Sequence, residues 1–265
     1  MCGIAGYSLS PESSVKRTLA AQALLAGIAE RGADAVGYAH RGAGASVTVH
    51  KRRSGASELL DEVHVPAAAT QALVHVRDYT KGHPTIEANN HPIRHGSVIG
   101  IHNGIIVNDE EIFARYGFER AHPEMTVDSE AIFALAEHAE GSHEALEELH
   151  GAMATAWLDE RVSSTLFLAR AVGRPLWIGS TGRELFFAST RDALEVLEST
   201  LRLTLRKREV DEGTLLRVED GRIEATHRFR PDRSYVEETV LPSVRAPHEG
   251  ASCLKQLAAI ALAAA

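Results

Sequence analysis

A cysteine stands second in the chain, in Met1-Cys2-Gly3-Ile4-Ala5-Gly6-Tyr7. Once the initiator methionine is removed, Cys2 carries a thiol and an α-amine on one residue. An α-amine titrates near pH ~8, low enough to take a proton at neutral pH, and a thiolate is a strong nucleophile. One residue can therefore supply both a nucleophile and its base. The N-terminus alone leaves a plainer reading open, a chance cysteine beside a short apolar strand. A second group with chemical potential is His75, His83, His91, His95 and His102. Their spacing matches no standard zinc pattern, so no metal site is expected from them. Cys253 reads as an incidental thiol in the tail.

The elements that must position these residues follow from local patterns. Residues 2–8 read as a short buried strand. Ser10-Pro11-Glu12 has the residues of a helix start, with a helix expected through Leu24, Leu25 and Ile28 to Gly32. Residues 38–51 read as a hairpin turning at Gly42 and Gly44, and 73–76 as a strand. Residues 77–94 form a long loop rich in Gly, Pro, Asn and His, the kind that binds or covers a ligand. A strand over 98–102 is expected to break at Asn103-Gly104, and helices are expected over 129–139 and 142–149. The C-terminal half is strand-rich: 165–171, 176–179, 185–188, and a hairpin of 214–218 and 222–226 about Asp220-Gly221. Residues 191–197 read as a short helix and 254–265 as an alanine-rich helical tail. Helical pairs with two groups of strands fit an α/β sandwich of layers.

Composition narrows the class. The chain has 265 residues, 44% hydrophobic and 24% charged, which suits one large globular domain with or without an appendage. A formal net charge of −8 argues against nucleic acid as a partner. No run of 18 apolar residues suggests a membrane span, and the N-terminus lacks the basic region of a signal peptide. Two cysteines at opposite ends of the chain suggest no disulfide framework, and a reducing, cytoplasmic setting is expected.

Several short segments then occur in a telling order: Cys2-Gly3-Ile4-Ala5-Gly6, Arg31-Gly32-Ala33-Asp34-Ala35-Val36-Gly37, and His75-Val76-Arg77-Asp78-Tyr79-Thr80-Lys81-Gly82. Asn90-His91-Pro92, His102-Asn103-Gly104-Ile105-Ile106-Val107-Asn108 and Val127-Asp128-Ser129-Glu130 follow, then Gly173-Arg174-Pro175-Leu176 and Ala188-Ser189. This series, spanning Cys2 to Ile223, resembles the class II glutamine amidotransferase domains. These are N-terminal-nucleophile hydrolases, such as the glutaminase domains of glucosamine-6-phosphate synthase and the purine-pathway amidophosphoribosyltransferase.

The resemblance implies an α+β fold, a four-layer αββα sandwich, over residues 2–230, with 231–265 as a tail. It implies hydrolysis of the glutamine side-chain amide to glutamate and ammonia, through a thioester on Cys2. Amide hydrolysis passes through a tetrahedral oxyanion that needs preorganised donors. By resemblance the Asn103 side-chain amide and the Gly104 N–H supply them. Arg77 would pair with the α-carboxylate of glutamine through a planar two-pronged contact, and Asp128 would receive the α-ammonium. Thr80 and Gly82 would add hydrogen bonds, and Arg31 would orient the N-terminus or the loop. No cofactor is implied.

Two positions depart from the sugar-phosphate branch of the family. Asp78 stands where tryptophan covers glutamine, and Lys81 where histidine is usual. No synthase domain is expected within residues 231–265, so the expected destination of ammonia is a separate acceptor enzyme, with the tail as a candidate contact. Two other readings stay open: an amidase for another γ-glutamyl or related amide, and a non-catalytic module that keeps the fold for binding or assembly.

Overall fold

The computed structural model describes residues 2–42, 44–237 and 242–264. The first half contains β1 (Gly3–Leu9), α1 (Arg17–Ile28), β2 (Ala35–Arg41), β3 (Val47–Arg52), β4 (Gln71–Arg77), β5 (Ile93–His95), β6 (Val98–Ile106), α2 (Asp109–Tyr116) and α3 (Glu130–His138). The second half contains β7 (Gly151–Asp159), β8 (Thr165–Arg170), β9 (Trp177–Ser180), β10 (Glu184–Ala188), α4 (Arg191–Leu201), β11 (Arg206–Glu209), β12 (Thr214–Glu219), β13 (Arg222–Arg228) and α5 (Pro247–Ala264). One antiparallel sheet runs β11-β9-β10-β1-β4-β2-β3 and the other β13-β12-β8-β7-β6-β5.

Side-chain alternation builds the layers. In a strand, successive side chains point to opposite faces. Along β1, Ala5, Tyr7 and Leu9 meet α1 and α4 in an outer core, while Ile4 joins a core between the sheets. Along β4, Ala72, Val74 and Val76 face the outer core and Leu73 the inner one. On the second sheet, Val98 and Ile106 of β6 pack with α2 and α3, while Ile99 and Ile101 fill the space between sheets. The result is the four-layer αββα sandwich that the sequence resemblance implies.

Several local expectations change. The first helix begins at Arg17 rather than near Ser10. The Ser10 hydroxyl accepts from Glu12 N and that of Ser13 from Val15 N, so these residues close turns instead of capping a helix. The strand expected to break at Asn103-Gly104 runs straight through them, pairing Asn103 with Ala154 and Gly104 with Met153. The helix expected over 142–149 is a single 3-10 segment, Glu144–Glu148. Strand β7 had no clear signal: it is buried on both faces, so its Gly-Ala-Met-Ala-Thr-Ala-Trp run shows no polar alternation.

The tail helix α5 lies against the first outer core. Its Cys253 and Leu257 are buried there with α1, and the Glu249 carboxylate accepts from both the Ser57 N–H and hydroxyl. Just before it, Arg245 N and Ala246 N donate to the Glu30 carbonyl, each at 2.8 Å.

Candidate active site

Cys2 precedes β1, and the antiparallel register that sets Gly3 opposite Val76 puts it beside the end of β4 at Arg77. By alternation Cys2 shares the inter-sheet face with Ile4, Arg77 with Leu73 and His75, and Asn103 with Ile99 and Ile101. His75 Nε2 lies 3.1 Å from the His102 carbonyl, which holds the end of β4 against β6 one residue from Asn103. Three residues from distant parts of the chain therefore converge on one end of the inner layer.

Cys2 is half-buried, and its Sγ lies 3.6 Å from the Asp78 carbonyl. Burial pushes its thiol above the usual range, partly offset by the Asp78 backbone and the Arg77 guanidinium. Burial thus disfavours the thiolate, and attack calls for a base. Arg31, almost fully buried, donates from Nε to the Cys2 carbonyl at 2.9 Å. This bond ties the end of the first helical segment to the backbone of Cys2.

Arg77 is 2% exposed. Its guanidinium donates to Asn90 Oδ1 at 2.6 Å, to the Lys81 carbonyl at 2.8 Å and to the Gly82 carbonyl. The loop 78–82 is wrapped about this one side chain. Asn90 Nδ2 in turn donates to the Pro84 carbonyl, and Asn89 Oδ1 accepts from Thr126 N and Val127 N. These two asparagines join the loop to the segment that leads into Asp128. Gly82 has φ +78, and a side chain there would press on Asn89 and Val127. Thr80 is exposed on the loop.

Asn103 is fully buried, and neither its Oδ1 nor its Nδ2 has a hydrogen-bond partner. A buried amide left so is uncommon, because each polar atom loses its water without replacement. Next to it Gly104 has φ +151, and a Cβ there would lie 1.8 Å from the Ala152 carbonyl oxygen. Only glycine keeps β6 and β7 this close.

Asp128 is buried at the start of α3, where Oδ2 accepts from Ile106 N at 2.7 Å. Burial, with a smaller contribution from Asp109, raises its carboxyl from 3.8 to about 6, against the lowering effects of the Ile106 N–H and Lys81. Lys81 Nζ pairs with Asp109 at 2.7 Å, and Arg120 joins Asp109 to Glu130 at 3.1 and 3.2 Å. The lysine thus anchors the loop to the start of α2.

The histidines divide. His75, His91 and His102 are buried, with His75 and His91 stacked at 4.2 Å. Burial holds all three neutral, with His75 and His102 pushed down to about 3. His75 shares the inter-sheet face with Arg77, while the His102 ring lies on the other face of β6, 2.9 Å from the Ser129 hydroxyl. His83 is exposed, and His95 pairs with Glu130 at 2.9 Å. Among the described residues no group of three or more His, Cys, Asp or Glu is arranged to hold a metal ion.

Residues 80–196 match the family model described as a glutamine amidotransferase domain. The glutamine–fructose-6-phosphate aminotransferase (isomerizing) of Vibrio parahaemolyticus is 31% identical over 230 residues, 82% of this chain and 35% of that protein. The chain carries a class II glutamine amidotransferase domain. The protein of the same name from Aliivibrio fischeri is 32% identical over 243 residues, 86% of this chain and 38% of the relative. The chain thus spans little more than a third of the length of these curated relatives. Two solved structures share the fold. One is the glutamine phosphoribosylpyrophosphate amidotransferase of B. subtilis (TM-score 0.65, 22% identity, 86% of this chain and 49% of that one). The other is an allosteric regulatory enzyme of purine biosynthesis (TM-score 0.69, 23% identity, the same coverage).

Within this class II amidotransferase domain, sequence reasoning missed four contributors. Asn89 and Asn90 hold the loop and Arg77. The Asp78 carbonyl touches the thiol. Asp34 Oδ2 accepts from Tyr79 N at 2.9 Å, steadying the loop from the other side. Asn90 and Asp34 lie inside the motif segments, so the sequence carried a signal for them. The Asp78 carbonyl had none, since any residue has one.

Proposed function

We propose that the chain hydrolyses the side-chain amide of glutamine with Cys2 as nucleophile. The observation that carries this reading is the buried, unpartnered Asn103 amide on the same inter-sheet face as Cys2 and Arg77. In this scheme the α-amine of Cys2, freed by removal of Met1, takes the thiol proton. The sulfur attacks the amide carbon, and the resulting oxyanion is met by the Asn103 amide and the Gly104 N–H. Collapse breaks the C–N bond, and the leaving nitrogen takes the proton back and departs as ammonia. Water then cleaves the γ-glutamyl thioester by the reverse order of proton transfers and releases glutamate.

Arg77 binds the α-carboxylate and Asp128 the α-ammonium. Arg77 already commits N–H groups to Asn90, Lys81 and Gly82, so binding glutamine exchanges or shares loop contacts. Ammonia passes to a separate acceptor enzyme, the step that fused partners perform in longer proteins of this family.

The test is glutamate release from glutamine, compared with asparagine and a panel of γ-glutamyl amides. Cys2→Ala should abolish turnover, and a mass spectrum of the active protein should begin at Cys2. Turnover that survives Cys2→Ala sinks the reading. Preference for another amide points instead to an amidase whose loop, with Asp78 in place of an apolar cover, takes a different acyl group. The acceptor is sought by co-purification with the full chain.

A further inference from the structure

The loop beside the nucleophile is tied to the far end of the chain. The Asp78 carbonyl lies 3.6 Å from Cys2 Sγ, and its side-chain Oδ2 lies 3.1 Å from Arg245 Nε. The Asp78 side chain is 17% exposed and that of Arg245 39%. Arg245 is fixed from behind, because its own N–H and that of Ala246 donate to the Glu30 carbonyl. Helix α5 follows at once and is seated by Cys253 and Leu257. Two short paths therefore run from the root of α5 to Cys2. One goes through Asp78 to the sulfur, the other through Glu30 and its neighbour Arg31 to the Cys2 carbonyl.

We propose that Arg245 is a positioning residue for Cys2 and the glutamine loop, acting through Asp78. Paired with Arg245, Asp78 keeps its backbone carbonyl against the thiol. An ion pair holds the loop differently from an apolar cover. It weakens as salt screens it, and it can be restored with the charges exchanged. Its bearing on glutamine rests on the function proposed above; its bearing on the loop and thiol does not. Opening the pair leaves Asn103 and Gly104 in place, so it loosens glutamine binding more than it slows chemistry.

The experiment measures alkylation of Cys2 by iodoacetamide, located by peptide mass spectrometry, and amide exchange over 78–82. It compares the full chain with Arg245→Ala, Arg245→Lys and the exchanged pair Asp78→Arg/Arg245→Asp. Arg245→Ala should speed both processes about two- to fivefold, the range set by a partly exposed pair. Salt at about 0.5 M should speed alkylation of the unmodified chain and leave Arg245→Ala unchanged. Arg245→Lys and the exchanged pair should return both rates toward the starting values. The KM for glutamine should rise in Arg245→Ala by a similar factor, with kcat changed less than about twofold. Rates in Arg245→Ala equal to those of the unmodified chain overturn the proposal. So does a folded exchanged pair that behaves like Arg245→Ala. Alkylation and exchange are read without turnover, so an absence of glutaminase activity would sink the function and leave this proposal separately decided.

Discussion

Asn103 holds an amide where the fold offers it nothing to bond. A polar side chain kept so is a cost to stability that binding can offset. Asn103→Ala should therefore lower kcat by about 10²–10³, the usual loss of one oxyanion donor, while stability moves by less than about 1 kcal/mol. Steady-state rates beside a urea titration check both parts. Asp128 separates binding from stability through pH. Its carboxyl is raised in the folded chain, so the folded state holds the proton more tightly than the unfolded one. Its contribution to stability is full below 3.8 and lost as pH rises through about 6. Glutamine binding runs the other way, since the charged carboxylate is the partner for an ammonium. KM should climb as pH falls below about 6, where the carboxylate takes up its proton. Asp128→Asn should show a high KM at every pH, with a melting temperature at about pH 7 equal to or above the original. A KM that stays flat from about pH 8 to about pH 5, a range that brackets this titration, counts against the assigned role.

At the scale of elements, β6 and the loop after β4 decide the site. The Asn-Gly pair suggests a turn on local grounds, because both residues favour turns. Nine ladder pairs with β7 override that preference, and Gly104 tolerates φ +151 inside the strand. Gly104→Ala should push the Ala152 carbonyl away and loosen this edge of the ladder, costing about 2 kcal/mol or more by equilibrium unfolding and removing activity. The loop after β4 depends on a planar fork. Arg77→Lys keeps the charge yet cannot reach Asn90, Lys81 and Gly82 together. It should raise KM for glutamine at least about tenfold and speed amide exchange across 78–90, consistent with the loss of charged hydrogen bonds. Unchanged exchange would mean that the loop holds itself without Arg77. The length and composition of this loop marked it as a binding segment; its internal wiring through Asn89 and Asn90 was not legible, because each bond joins residues set by the folded path.

At the scale of the molecule, the helix at the end of the chain is part of the structure that carries Cys2. Leu257 is buried against α1, and Leu257→Ala should cost about 2–4 kcal/mol in denaturant unfolding. Cys253 is fully enclosed, with its thiol pushed up to about 12, and should react with thiol reagents only after unfolding, while Cys2 reacts in the native state. Equal labelling of the two in native buffer would contradict the packing of α5. The sequence by itself determined the layered α+β class and the pairing of β2 with β3 and of β12 with β13. Those signals are local: alternation, turn residues and short ordered segments survive without knowledge of the fold. The tertiary structure alone decided that Asn103 stays in an unbroken strand, that β7 fills the centre of its sheet, and that Arg77 is enclosed by its own loop. It alone joined Asp78 to Arg245 across 167 positions of chain. Such outcomes depend on which distant segments meet, and burial there outweighs local preference.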